Sequence, residues 1–235
     1  MGRLQDKRLF LLDMDGTIYL DDRLFDGVTA FLSRIREKGG RYLFLTNNSS
    51  KGVEGYIEKL NGMGIATGRE DYLTSVDAAI DLLLGSRRKY IVASRANTGV
   101  ASYFNLLLRH QVADVIPTWE SSVNVIDHMC DIGKEDCVIL FSFPRYSEMD
   151  RQAMQLAEDA GAGIIVFTDR PSAPLAQYAK VLFTVDVDTN TFFNSYVGVQ
   201  LVMEILAAGL SRRMGGANAE KLRMIDRYIG KLGVY

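Results

Sequence analysis

The sequence predicts an α/β protein built of parallel sheets with flanking helices. Three observations carry that reading. Short apolar runs alternate with amphipathic stretches along the chain, which is the pattern of strand–helix–strand units. Hydrophobic residues make up 48% of the 235 residues, enough to cover sheets on both faces. Low-complexity tracts and short repeats are missing, so the alternation is not that of a solenoid or a linker.

The elements follow in order. Residues 8–12 form an apolar run ending in Asp-Met-Asp-Gly, and residues 41–45 form another ending in Thr-Asn-Asn-Ser-Ser; both are predicted as buried strands. Between them Val28, Phe31, Leu32 and Ile35 fall at helical spacing, and Gly39-Gly40 stops the helix. A second helix follows Ser50 and ends near Gly62 to Gly64. Val76, Ala79, Ile80, Leu83 and Leu84 then mark an amphipathic helix opened by Thr74 or Ser75 as its cap. From Lys89 a new series begins: the strand YIVAS, a helix through Tyr103 and Leu108, the strand ADVI, a helix near Val123 to Met129, and the strand CVILFS. The runs 163–167 and 181–185, split by a turn between Pro171 and Pro174, complete about five strands. A helix through Val202, Ile205 and Leu206 follows, and the charged last twenty residues read as helical. No Pro- or Gly-rich linker separates the halves, so the expected division is 1–74 and 75–235, with the helix at 75–84 shared by both.

Charge and cysteine usage bound the partners. Twenty-seven basic residues against 29 acidic ones leave a formal charge of -2; nothing there favours nucleic acid or a membrane surface as partner. The opening MGRLQDKR leads into only a short apolar run, without a signal-peptide core or the ~20 apolar residues of a membrane helix, so secretion is not expected. Cys130 and Cys137 lack metal-site spacing and are too few for a disulfide framework, which fits a reducing compartment and a cytoplasmic location.

Asp13-Met14-Asp15-Gly16-Thr17, directly after an apolar strand, puts two carboxylates at i and i+2 on one strand-end loop, facing the same way. One is placed to attack phosphorus and the other to handle the leaving-group proton. Gly16 allows a sharp turn, and Thr46 with Asn47 at the next strand end suits a phosphoryl oxygen. The simpler alternative is an Asp pair that caps a turn. DMDGTIY, TNNSS and LTSVDAAIDLL together resemble the haloacid-dehalogenase (HAD) phosphatases of the NagD-like subclass. That resemblance implies a partial Rossmannoid unit in which Asp13 is nucleophile and magnesium ligand, Asp15 is general acid/base and also faces the metal, and Thr46 holds phosphate. The family's later lysine and its acidic Gly-Asp motif have no counterpart, since the chain contains no Gly-Asp pair. Asp169, after the run GIIVF, is the candidate to stand in for the missing acid, and the resemblance fades near residue 85.

The stretch KYIVASRANTGVASYF enters a helix through small and polar residues, where backbone N–H groups and the helix dipole favour an anion. A second such loop, Ser142-Phe143-Pro144-Arg145-Tyr146-Ser147, follows CVILF and precedes a helix with Ala153, Leu156, Ala157 and Ala160 on one face. Two loops at neighbouring strand ends suit one phosphate. Alternatively their hydroxyls cap helices, and Arg95 and Arg145 serve as surface ion-pair partners.

Residues from about 75 to 235, through VASRAN, the long stretch from ILFSFPRYS to KVLFTV, and FFNSYVGVQLVMEIL taken as the last helix, resemble the SIS (sugar isomerase) domain, especially that of RpiR-type phosphosugar-responsive regulators. The resemblance implies a flavodoxin-like five-stranded fold, a sugar phosphate bound at strand C-termini, and a homo-oligomer formed through the SIS helices. Ser142 and Ser147 fit the outer hydroxyls of the family's Ser-x-Ser-Gly-x-Ser/Thr loop, with Pro144 and Arg145 in place of its inner Ser and Gly. Arg145 retains the ability to pair with phosphate. In the first loop Asn97 stands where serine is common, with Ser94, Arg95 and Thr98 beside it. His110 and His128 sit in helices away from these loops, and Glu148 at a helix start complements the dipole, so no base for isomerisation stands out. The helix-turn-helix reader of such regulators is replaced by the HAD-like fragment, so no nucleic-acid contact is expected. The whole reads as a fusion or chimera that binds a phosphosugar; the alternative is a magnesium phosphatase acting on a sugar phosphate through Asp13 and Asp15.

Overall fold

A computed structural model describes residues 7–46, 53–119 and 122–231. The chain divides into two compact units, residues 1–77 and 78–235, each with its own sheet.

In the first unit β1 (Leu9–Asp13), β4 (Arg41–Thr46) and β5 (Tyr72–Thr74) form a three-stranded parallel sheet in the order β1-β4-β5. A small antiparallel hairpin, β2 (Tyr19–Leu20) with β3 (Arg23–Leu24), follows the first strand. The helices α1 (Val28–Glu37) and α2 (Val53–Gly62) complete the unit. Val28, Leu32 and Ile35 are the buried face of α1, while Phe31 of the same predicted stripe is 40% exposed. An aromatic row fills the core: Tyr42 to Phe44 at 5.2 Å, Phe44 to Tyr72 at 5.5 Å and Tyr72 to Tyr56 at 6.5 Å between ring centroids, spacings at which offset or tilted rings attract. The expectation of a fully buried first strand is corrected here. β1 is an edge strand, and alternate residues Leu9 and Leu11 are each 55% exposed, because successive side chains of a strand point to opposite faces and it is Phe10 and Leu12 that pack against the core.

The junction of the units lies in α3 (Ser75–Gly85). Thr74 caps it as expected: the Asp77 N–H donates to Thr74 Oγ1 at 3.2 Å, and the Thr74 N–H donates back to Asp77 Oδ2 at 3.1 Å. This is a reciprocal capping box that satisfies backbone donors left over by the first turn. Ala79, Ile80 and Leu83 are its buried face; Leu84, read from the sequence as part of that face, is 39% exposed.

The second unit holds β6 (Lys89–Ala93), α4 (Asn97–Arg109), β7 (Val115–Pro117), α5 (Ser122–His128), β8 (Cys137–Phe141), α6 (Glu148–Asp159), β9 (Gly163–Thr168), β10 (Val181–Thr184), α7 (Val197–Met214) and α8 (Ala219–Lys231). Its strands are all parallel in the order β7-β6-β8-β9-β10. Counted from β6 this is the 2-1-3-4-5 order of a flavodoxin-like doubly wound sheet. Every residue of β6, β8 and β9 is buried, as strands covered by helices on both faces must be. One face packs Tyr90, Val92, Val138, Leu140 and Val166 against Met154 and Ala157 of α6. On the other, Phe104, Phe141, Phe167 and Phe183 form a chain of ring contacts 4.7–5.9 Å apart. Asp136, just before β8, is pinned by Arg87 and Arg88 at 3.0 and 3.1 Å. This order places the reversal of strand winding between β6 and β8, where the carboxyl ends of adjacent strands diverge into opposite-side helices.

Candidate functional site

In the first unit the Asp-Met-Asp-Gly-Thr turn is built as its sequence suggests. Met14 is fully buried while Asp13 and Asp15 on either side of it are exposed, so the two carboxylates share a face. The Met14 carbonyl accepts from the N–H groups of Thr17, Ile18 and Tyr19 at 2.9–3.3 Å, and Gly16 takes φ 76°, the left-handed conformation glycine adopts without strain. Burial, then the nearby charge of Asp15, push the Tyr19 hydroxyl well above its ordinary range. Asp13 pairs in register with Leu45, next to Thr46 at the end of β4. Asn47 and the rest of TNNSS lie outside the described residues. Magnesium requires close to six oxygen ligands in near-octahedral array. Among the described residues no three His, Cys, Asp or Glu side chains are grouped to hold a metal, so Asp13 and Asp15 by themselves do not fit the ion. Asp169 belongs to the other sheet, at the end of β9, and is engaged there. It accepts from the Tyr146 hydroxyl at 2.7 Å and lies 3.6 Å from Arg170; burial and that hydrogen bond push the Tyr146 hydroxyl up to about 12.

In the second unit a cleft of about 260 Å³ opens at the carboxyl ends of β6 and β8, the switch point of the sheet. Ser94, Arg95 and Asn97 line it from the loop after β6, Pro144, Arg145 and Ser147 from the loop after β8, and Phe193, Asn194 and Tyr196 from the segment before α7. Of the residues singled out in the sequence, five therefore meet around one cavity. Thr98 and Ser142 stand outside that lining. Thr98 Oγ1 donates to the Arg95 carbonyl at 2.7 Å. Ser142 is 1% exposed; its N–H donates to the Phe167 carbonyl at 2.9 Å and its hydroxyl has no hydrogen-bond partner.

Arg145 occupies φ 69° and Arg95 φ 58°, the left-handed region that costs a non-glycine residue about 1–2 kcal/mol. In the second loop this explains how arginine stands where the resembled pattern has glycine: the turn is kept, and the side chain is gained. Arg145 donates to the Phe192 carbonyl at 3.1 Å and its guanidinium lies 4.2 Å from the centre of the Phe192 ring, an aromatic support for the cation. Ser147 is the N-cap of α6 but makes no side-chain cap bond, so its hydroxyl is uncommitted at a positive helix end. Glu148 pairs with Arg151 at 2.8 Å. His110 is the C-cap of α4 and His128 closes α5, neither of them in the cleft lining.

Two features were missed in the sequence. FFNSY was taken into the last helix, but α7 starts at Val197; the Ser195 N–H donates to the Val187 carbonyl and the Thr189 and Thr191 hydroxyls bond to the backbone at Phe193, which holds this segment as a loop over the cleft. Tyr196 from it donates to Asn97 Oδ1 at 2.8 Å. The second is Asp150 in the first turn of α6, 2% exposed, whose Oδ1 accepts from the Ser94 hydroxyl. Burial raises its carboxyl to about 6, against the pull of the Ser94 hydrogen bond.

An open doubly wound parallel sheet with a polar cleft at its switch point defines an α/β domain that takes small anionic ligands at strand C-termini. Residues 82–210, more than half of the chain, match the SIS domain, and the chain belongs to that family. Residues 10–105 match the haloacid dehalogenase-like hydrolase family. Among solved structures the chain is similar to the sugar isomerase domain of an RpiR transcription factor from Sphaerobacter thermophilus, with TM-score 0.63, 21% identity, and coverage of 74% of this chain and 96% of that one. It is also similar to the Vibrio vulnificus NanR protein complexed with ManNAc-6P, with TM-score 0.61, 12% identity, and coverage of 89% and 75%; at these identities the likeness is one of fold. The front of the chain is 32% identical over 80 residues to an acid sugar phosphatase of Staphylococcus saprophyticus, covering 34% of this chain and 31% of the phosphatase. It is 39% identical over 75 residues to phosphoglycolate phosphatase 2 of Arabidopsis thaliana, covering 32% and 25%. The chain thus spans less than a third of the length of these relatives. No helix among the described residues is long and apolar enough to cross a membrane.

Proposed function

We propose that the chain binds a sugar phosphate in the cleft between the β6 and β8 loops, residues 75–235 acting as the phosphosugar domain and residues 1–74 as a HAD-like segment. The observation that carries this reading is the second loop: an uncapped Ser147 hydroxyl at the start of α6, with Arg145 beside it in a conformation that turns the loop around the cavity. A phosphate ester is a dianion with acceptors only, and a helix N-terminus with a hydroxyl and a guanidinium is what it binds. Ser94, Arg95 and Asn97 face the sugar from the other side, while Thr98 and Ser142 shape the two loops from behind. Homo-oligomerisation through the SIS helices, a cytoplasmic location in keeping with the free Cys130 and Cys137, and no nucleic-acid contact from this chain belong to the same proposal. A panel of hexose and amino-sugar phosphates tests it. At a concentration of 100 times Kd the cognate ligand stabilises the protein by about 2.7 kcal/mol, a rise in Tm of roughly 5–10 °C for a chain of this size. Ser147→Ala reduces that rise, and no rise with any of the sugar phosphates overturns the reading.

A second reading, phosphatase chemistry on the first unit, is favoured by the shared face of Asp13 and Asp15 and the match over residues 10–105. On it Asp13 is the nucleophile, Asp15 the general acid/base and Thr46 a phosphate holder; the described carboxylates fall short of a magnesium site, so the ion would have to draw on ligands beyond them. It predicts magnesium-dependent phosphate release from sugar phosphates that disappears in Asp13→Asn. Release that persists in Asp13→Asn retires it.

A further inference from the structure

We propose that Asp150 is a positioning residue that holds Ser94 as a hydrogen-bond acceptor, so that Ser94 reads a sugar hydroxyl and not the phosphate. This rests on the sugar-phosphate reading above and assigns the orientation of the ligand in the cleft.

Several donors of the first loop, the Ser94 hydroxyl among them, are engaged within the protein. The N–H groups of Asn97, Thr98 and Gly99 donate to the carbonyls of Ser94, Arg95 and Ala96 at 3.2, 3.1 and 3.3 Å. The Thr98 hydroxyl donates to the Arg95 carbonyl at 2.7 Å. The Ser94 hydroxyl gives its single proton to Asp150. A hydroxyl whose proton is committed offers lone pairs alone. It repels the oxygens of a phosphate dianion and accepts from an alcohol. What remains on this side are the N–H groups of Arg95 and Ala96, the exposed Arg95 guanidinium and the Asn97 amide nitrogen, but the Ser94 hydroxyl is not among these donors and is left to meet an alcohol. The second loop is the converse: Ser147 keeps its proton and Arg145 most of its donors.

Asp150 has no simpler task. It forms no ion pair among the described residues, and its Oδ2 is buried without a hydrogen-bond partner. Complementing the dipole of α6 does not require burial, and Glu148 in the same turn does that from the surface. Leaving a carboxylate 2% exposed with one empty oxygen is costly, and the contact that cost secures is the one to Ser94. The group that faces it is the Ser94 hydroxyl from the first loop; on its own helix Glu148 is turned to Arg151. Since burial lifts its carboxyl to about 6, Asp150 is an acceptor alone at neutral pH and fixes Ser94 as the donor in their hydrogen bond, a direction it ceases to compel below that value.

The test uses the full chain, inorganic phosphate, and the tightest binder from the panel of hexose and amino-sugar phosphates, with affinities measured by calorimetry at pH 7.5 and pH 5. Ser94→Ala and Asp150→Ala are expected to weaken the sugar phosphate about tenfold, the loss of one hydrogen bond, and to leave inorganic phosphate within about twofold. Asp150→Asn keeps an acceptor oxygen for Ser94 and stays within about threefold of wild type at pH 7.5. Because the ester itself titrates in this range, the pH readout is the ratio of wild type to Asp150→Asn. That ratio falls from pH 7.5 to pH 5 if Asp150 sets the polarity, and stays flat if the carboxyl is only structural. Equal weakening of phosphate and sugar phosphate by Ser94→Ala overturns the proposal, and this variant answers even if Asp150→Ala fails to fold. Wild type that binds phosphate but no sugar phosphate also overturns it, whereas binding neither retires the parent reading along with it.

Discussion

Asp136 shows what a single residue contributes when its charge is buried and fully engaged. Its side chain is 0% exposed, and it receives Arg87 Nε and Nη2 at 3.0 Å each, Arg88 Nη2 at 3.1 Å, and the N–H groups of Gly133 and Arg88 at 3.0 and 3.2 Å. Burial by itself raises a carboxyl, but the hydrogen bonds from Arg87, Arg88 and the backbone outweigh it and hold Asp136 well below the usual carboxylate range. A carboxyl depressed in the folded state adds stability that is present above the unfolded value near 4 and is lost as pH falls below it. Asp136→Ala leaves two guanidiniums without their partner, although Arg87 is half exposed and can turn to water. The expected cost is therefore about 2–3 kcal/mol, below that of breaking a fully buried pair, and thermal unfolding at pH 7 should show a drop in Tm of roughly 4–10 °C. The deficit relative to wild type should shrink between pH 4 and pH 2. A variant that unfolds at the wild-type temperature at neutral pH would show that the ring of donors contributes nothing net.

At the scale of elements, the strands of the second unit were the most legible part of the chain. YIVA, CVILF and GIIVF are continuous apolar runs, and each proves buried along its whole length, because a parallel sheet sandwiched between helices demands that composition. The Thr74 cap was equally readable, since a hydroxyl three residues before an acid is a local signal with a local cause. The first strand was not: LFLLD has the same composition, yet it lies at an edge and exposes Leu9 and Leu11, and edge position depends on which strands pair, information carried by no five-residue run. FFNSY failed for the opposite reason. Its apolar content reads as continuous with the helix behind it, but the Thr189 and Thr191 hydroxyls bond the Phe193 carbonyl and the Ser195 N–H bonds the Val187 carbonyl, which keeps it a loop. At the cleft, the convergence of Ser94, Arg95, Asn97, Arg145 and Ser147 on one cavity was legible because the loops at neighbouring strand C-termini of a doubly wound sheet meet at its switch point. Asp150 was not, because its spacing from Ser147 reads as an ordinary helix cap, whereas its actual partner is 56 residues away in sequence.

At the scale of the whole molecule the two units have separate sheets and separate cores, the first built on Phe44, Tyr56, Leu60 and Tyr72, the second on the β6, β8 and β9 interior. The second also holds every lining residue of the cleft. Stability and binding in the second unit should therefore survive removal of the first, provided that α3 keeps what starts it. Ile80 and Leu83 of α3 are buried, and Leu82 lies against Gly163 at the start of β9 so closely that a Cβ there would meet its Cδ1 at 2.4 Å; the helix belongs with the sheet that follows it. A fragment of residues 74–235 retains Thr74, Asp77 and their reciprocal bonds. It is expected to unfold in one cooperative transition and to keep the sugar-phosphate shift in Tm. A fragment of residues 78–235 loses the cap, which is worth about 1 kcal/mol, and should melt roughly 2–4 °C lower with the same ligand response. Calorimetry of both, with and without the sugar phosphate, decides the matter: a 74–235 fragment that gives no cooperative transition would mean that the second core depends on the first unit, since every cap, strand and lining residue it needs would still be present.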